Sequence, residues 1–137
     1  MAQISKRRML PSIEKRVYEL LWDSVAKSGT KKESEEFLTD LLTYTEKVVL
    51  AKRLAIAVLL MKGFNYDSIK DLLKVSGTTI SRVQEYLRSE PVGFKRFAGK
   101  LVKEEFWREF ADTLNQILPR YSRQPIPERV FRRRTPL

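Results

Sequence analysis

The chain has no cysteine and no histidine. That excludes a disulfide framework, thiolate and imidazole metal sites, a cysteine nucleophile and Ser-His-Asp chemistry. Glycine is scarce, with five residues in 137, and they are too scattered to form a Gly-rich phosphate loop. No proline occurs between Pro11 and Pro91, and glycine appears there only at Gly29, Gly63 and Gly77. Such a stretch reads as helices divided by glycine stops. The longest apolar run, Leu54 to Met61, has eight residues, against the roughly 20 needed to span a bilayer. Lys6, Arg7 and Arg8 have no apolar stretch behind them. No secretory signal is therefore expected, and the expected location is the cytoplasm. The adjacent carboxylates Glu35/Glu36 and Glu104/Glu105 diverge by about 100° on a helix and cannot work as facing pairs. No catalytic residue, cofactor or metal site is assigned, and the chain is not expected to be an enzyme.

What is abundant is positive charge. Lys plus Arg number 27 against 17 Asp plus Glu, for a net charge of +10. Residues 1–16 hold Lys6, Arg7, Arg8, Lys15 and Arg16 against Glu14, a net of +4. Residues 120–137 hold Arg120, Arg123, Arg129, Arg132, Arg133 and Arg134 against Glu128, a net of +5. The body between them is left with +1. Two basic arms on a nearly neutral body suit a polyanionic partner, and duplex DNA comes first.

Apolar spacing predicts an all-α fold with three parts: a basic arm over 1–11, a helical domain over 12–118, and a Pro/Arg-rich basic arm over 119–137. Ser12 is expected to cap a first helix with Ile13, Val17, Leu20, Leu21 and Val25 inward. A second, from about Lys32, buries Phe37, Leu38, Leu41 and Leu42. Thr43 or Thr45 caps a third that runs to Gly63. Its residues Leu54–Met61 are apolar on every side, which predicts burial on every side and, in so short a chain, a homodimer built around this helix. A last helix over about 94–118 carries Phe94, Phe97, Leu101, Phe106, Phe110, Leu114 and Ile117 on one stripe. No internal repeat is found.

Two short helices lie between. The first starts near Asn65 or Tyr66 and ends at Leu73; the second covers Thr78–Arg88. With the turn Lys74-Val75-Ser76-Gly77 they form a helix-turn-helix pattern over about 66–88. Ile80, Val83 and Leu87 face inward at i, i+3 and i+7. Lys70, Lys74, Ser76, Gly77, Thr78, Thr79, Ser81 and Arg82 are the candidate DNA contacts, with Lys6, Arg7, Arg8, Arg132, Arg133 and Arg134 of the arms on phosphates. Residues 66–90 hold four cations and four carboxylates. The motif can read bases, while the arms supply most of the affinity.

Leu42-Thr43-Tyr44-Thr45-Glu46 through Arg53, then Leu54–Gly63, then Thr78-Thr79-Ile80-Ser81-Arg82-Val83, resemble the Trp repressor superfamily. The likeness is greatest to its YerC/YecD-type branch. It covers about residues 12–110 and is most specific over 42–88. It implies a Trp-repressor-like helical bundle, an intertwined homodimer with a helix-turn-helix at each end, acting as a transcriptional repressor on double-stranded DNA at the bacterial nucleoid. Thr43, Arg53 and Arg82 match positions that hold the tryptophan corepressor in that family. Val83 and Tyr86 replace a glycine and a serine there and add bulk, so the slot is expected to be vestigial and no tryptophan corepressor is expected. Lys74 stands for the usual turn glycine, and Asp67 for a base-contacting arginine. Two alternatives stay open. One is an RNA or single-stranded nucleic-acid binder that stacks bases on aromatics beside Lys95, Arg96, Lys100, Lys103 and Arg108. The other is a helical dimeric interaction module.

Overall fold

The computed structural model describes residues 6–103 and 108–113, and among these there are helices and turns but no strand. The elements are α1 (Pro11–Lys27), α2 (Lys31–Leu41), α3 (Tyr44–Met61), α4 (Tyr66–Leu73), α5 (Gly77–Arg88) and α6 (Val92–Lys103). Residues 108–113 are also helical. The chain divides into two compact units, Met1–Leu50 and Ala51–Leu137, and α3 passes through the division.

Local chemistry sets the helix ends. The first helix begins two residues earlier than its hydroxyl suggested. Pro11 occupies its first turn, Leu10 is the N-cap, and no side chain caps the end. Ser12 is therefore not the cap. Proline needs no N–H partner at this position and its φ is already helical, so the missing cap costs little. Thr30 caps α2, accepting from the Glu33 N–H at 3.2 Å. At α3 it is Thr43, not Thr45, that caps: the Glu46 N–H donates to Thr43 Oγ1 (3.2 Å) and the Thr43 N–H donates to Glu46 Oε1 (3.0 Å). This reciprocal capping box holds the Glu46 carboxyl below its ordinary range, chiefly through the backbone hydrogen bond from Thr43 and then through the Thr43 side chain. At the other end, Gly63 takes φ 88°, its N–H donates to Leu60 O, and the Phe64 N–H donates to Leu59 O, both at 3.0 Å. Paired bonds of this kind close a Schellman turn, which needs the left-handed conformation that glycine adopts without strain.

The two units differ in what they bury. In the second, Ile56, Ala57, Val58, Leu59 and Leu60 of α3 pack with Ile69 of α4, with Ile80, Val83 and Leu87 of α5, and with Ala98 of α6. Leu54, Phe64, Leu72, Leu73, Phe94 and Phe110 close the cluster as partly buried neighbours. Each fully buried side chain the size of Leu59 or Ile69 contributes about 1.5–3 kcal/mol. Ile56–Leu60 are thus buried within one chain, in a cluster they share with residues of α4, α5 and α6, and their burial does not require the second chain expected from the sequence. The stripe expected of α6 also shifts. Ala98 is buried, whereas Phe97 is 61% exposed with Lys100 Nζ 5.1 Å from its ring centre. Phe94 and Ala98 lie four residues apart and share a face, and Phe97 falls at the edge of that face. The remaining stripe positions Phe106, Leu114 and Ile117, and the side chain of Leu101, lie outside the described residues.

The first unit buries no side chain of α1 or α2. Ile13, Val17, Leu20 and Val25, expected inside, are exposed, and Leu21 is only half-buried. On α2, Phe37 and Leu42 are half-buried while Leu38 and Leu41 remain exposed. Tyr18 and Trp22, one turn apart, stack with ring centres 6.0 Å apart.

Candidate nucleic-acid interface

The helix-turn-helix is present with nearly the expected limits. Asn65 caps α4, accepting from the Ser68 N–H at 2.9 Å. Ser76 caps α5, accepting from the Thr79 N–H at 3.2 Å, so Gly77 is the first residue of α5 instead of the last of the turn. Ile69 of α4 and Ile80, Val83 and Leu87 of α5 lie in the core, which fixes the outward face of each helix. Tyr66 donates its hydroxyl proton to Gln84 Oε1 and ties the start of α4 to the middle of α5.

The outward face of α4 carries Asp67, Lys70 and Asp71, with Lys74 following at the turn. That of α5 carries Thr78, Thr79, Ser81, Arg82, Glu85, Tyr86 and Arg88. The structure thus brings the candidate contacts Lys70, Lys74, Ser76, Gly77, Thr78, Thr79, Ser81 and Arg82 together on consecutive elements, and all but the half-buried Gly77 are exposed. Their hydroxyls are not equivalent. Ser76 and Thr79 are engaged with each other (Oγ to Oγ1, 3.0 Å) and with the helix cap. Thr78 and Ser81 make no side-chain hydrogen bond to a described residue, which leaves their hydroxyls available to a ligand. Lys6, Arg7 and Arg8 are exposed ahead of α1, in the other unit. Arg132, Arg133 and Arg134 lie outside the described residues.

Sequence reasoning missed Lys52. Its ammonium donates to the Lys74 carbonyl at 3.4 Å and links α3 to the turn of the motif. A separation of 22 residues leaves no trace in local patterning. The turn itself is strained: Lys74 sits at φ 53°, ψ 54°, the left-handed region where a side chain costs about 1–2 kcal/mol. Lys74→Gly is expected to raise the melting temperature by a few degrees, after subtracting the extra freedom glycine has when unfolded. If the ammonium also holds a phosphate, the same variant binds duplex DNA more weakly. Thermal unfolding and a salt-titrated gel shift on one sample check both outcomes.

The residues matching a corepressor slot separate by environment. Thr43 spends its hydroxyl on the α3 cap. Arg53 and Arg82 are exposed and make no ion pair with a described residue. Val83 is in the core, but Tyr86 remains 54% exposed, its ring tilted against Phe94 with centres 5.9 Å apart. Interior space is therefore taken by Val83, and Tyr86 packs along the surface.

An all-helical fold presenting a helix-turn-helix with a polar, hydroxyl-rich second helix defines a DNA-binding regulator. The family model described as Trp repressor protein matches residues 16–102, and the chain belongs to the Trp repressor family. That is a non-enzymatic family of helix-turn-helix regulators of double-stranded DNA. Comparison with curated proteins and with solved structures found no match. Among the described residues no helix is long and apolar enough to cross a membrane.

Proposed function

We propose that the protein is a sequence-preferring transcriptional repressor of the YerC/YecD-type branch, acting as a homodimer on duplex DNA at the nucleoid. The observation that carries this reading is the outward face of α5, where Thr78, Ser81 and Arg82 stand exposed above the buried Ile80, Val83 and Leu87. Short side chains at the start of such a helix let its backbone enter the major groove closely, and Arg82 can address guanine or a phosphate. Lys70, Lys74 and the two arms hold phosphates. Selection of bound sequences from a random duplex pool tests the reading, with an inverted repeat expected. Preferential retention of RNA or single-stranded DNA in a salt-titrated gel shift would contradict it.

Homodimerisation rests on α1 rather than on the interior of α3. Leu20 is 69% exposed, and with Ile13 and Val17 it forms an apolar stripe along one side of a helix that buries nothing of its own, while Tyr18 and Trp22 stand exposed on another side. A second copy of the chain supplies the cover such a surface requires. Leu20→Asp is expected to convert the dimer into a 16.1 kDa monomer in sedimentation while leaving the Ile56–Ala98 core folded. A wild-type chain that sediments as a stable monomer at micromolar concentration refutes the dimer.

No tryptophan corepressor takes part, because Val83 fills interior space where the family's slot has glycine. Ligand binding to the native state must stabilise it, by about 2.7 kcal/mol at a hundredfold excess over Kd. L-Tryptophan is expected to leave the melting temperature and the DNA affinity unchanged. A rise specific to tryptophan among the amino acids would show that the slot is open.

A further inference from the structure

The outward face of α5 is centred on a carboxylate. At 100° per residue, Thr78, Arg82 and Glu85 form one ridge opposite the buried Ile80, Val83 and Leu87. Glu85 has Arg82 three residues before it and Arg88 three residues after it, the spacing at which helical ion pairs form. It pairs with neither, and its side chain has no hydrogen-bond partner among the described residues. A carboxylate placed there is repelled by phosphates, and a donor on a base edge is the group of a duplex that would hold it on a DNA-reading surface.

We propose that Glu85 is a specificity-determining residue that reads the exocyclic amine of a cytosine in the major groove, an inference that rests on the DNA-reading role of α5. An ionised carboxylate only accepts hydrogen bonds. Cytosine offers its N4 amine as a donor, whereas adenine sets the N7 acceptor beside its amine, and guanine and thymine present acceptors where cytosine presents a donor. A second carboxylate oxygen is therefore opposed by adenine and tolerated by cytosine. Arg82, about 4.5 Å back along the helix axis, addresses a neighbouring base pair or its phosphate.

The test is selection from a random duplex pool with the full chain and its variants Glu85→Gln and Glu85→Ala. Position 85 is exposed, so both variants are expected to retain the wild-type helical content. The wild type should enrich an inverted repeat with one fixed cytosine in each half-site, and exchanging that C·G pair should weaken binding about tenfold. In Glu85→Gln that column should turn to adenine, because an amide offers both a donor and an acceptor. In Glu85→Ala it should lose its preference while the other columns persist. A repeat whose columns are the same in all three proteins overturns the role of Glu85 and leaves the DNA-reading function standing. A wild type that enriches no sequence overturns both.

Discussion

Replacing Ile56 by Asp is expected to abolish the cooperative unfolding transition of the second unit. Ile56 is fully enclosed by its own chain, and no described cation lies within its core cluster. An unpaired buried charge costs several kcal/mol, a large share of the 5–15 kcal/mol that holds a typical domain together. The milder Leu59→Ala removes a fully buried side chain and should cost about 2–5 kcal/mol, read as a lower urea midpoint with an unchanged slope. Both effects should be seen with the α1 surface mutated as well, because Ile56 and Leu59 belong to the core cluster of the second unit. A native-like midpoint for the Asp variant would mean that this core is not the one described.

Removal of residues 120–137 is expected to produce the largest change in DNA affinity. Six arginines and one glutamate are removed per chain, whereas residues 66–90 balance four cations against four carboxylates. Every phosphate that is no longer neutralised flattens the slope of log K against log salt by roughly 0.9, so six of them would flatten it by about 5 per chain. All duplexes should weaken by a similar factor. Thr78→Ala and Arg82→Ala should behave otherwise, costing on the order of 1–3 kcal/mol on the preferred site and much less on random DNA. An unchanged salt slope after truncation would assign the arm to another partner. Equal weakening on specific and random DNA for Thr78 and Arg82 would limit those side chains to positioning the backbone.

The helix-turn-helix was legible in the sequence because its determinants are local. Ile80, Val83 and Leu87 repeat with the helical period, Gly63 stops α3, and Asn65 stands where an N-cap belongs, although the cap at Ser76 falls within the stretch that reads as the turn. Its Lys70 and Arg82 were equally placed by periodicity, since a residue opposite a buried stripe has nowhere else to point. What covers α3 was not legible. A helix apolar on all sides states that it is buried but not by which partner, and here the partners come from later in the same chain. The exposure of α1 was missed for the same reason. Its stripe has the right period, yet period alone does not supply a neighbour within the protomer. Phe97 was misplaced because a stripe drawn through every aromatic gives large residues precedence, whereas close packing of α6 selected the small Ala98. Lys52 and the Tyr66–Gln84 bond depend on contacts 22 and 18 residues apart, beyond any local pattern.

The two halves of α3 are held by different means. Its C-terminal half carries the five buried residues Ile56–Leu60 and is locked by the Schellman turn, while its N-terminal half buries none and is held at its tip by Thr43 and Glu46. Because the folded state keeps Glu46 ionised below the ordinary carboxylate range, the capping box contributes fully above that range. The contribution fades as the pH falls through the lowered value. Protonation of Glu46 therefore weakens the N-terminal cap of α3. The buried half of α3, Ile56–Leu60, does not depend on this carboxylate, so the acid-sensitive part of the helix is its cap.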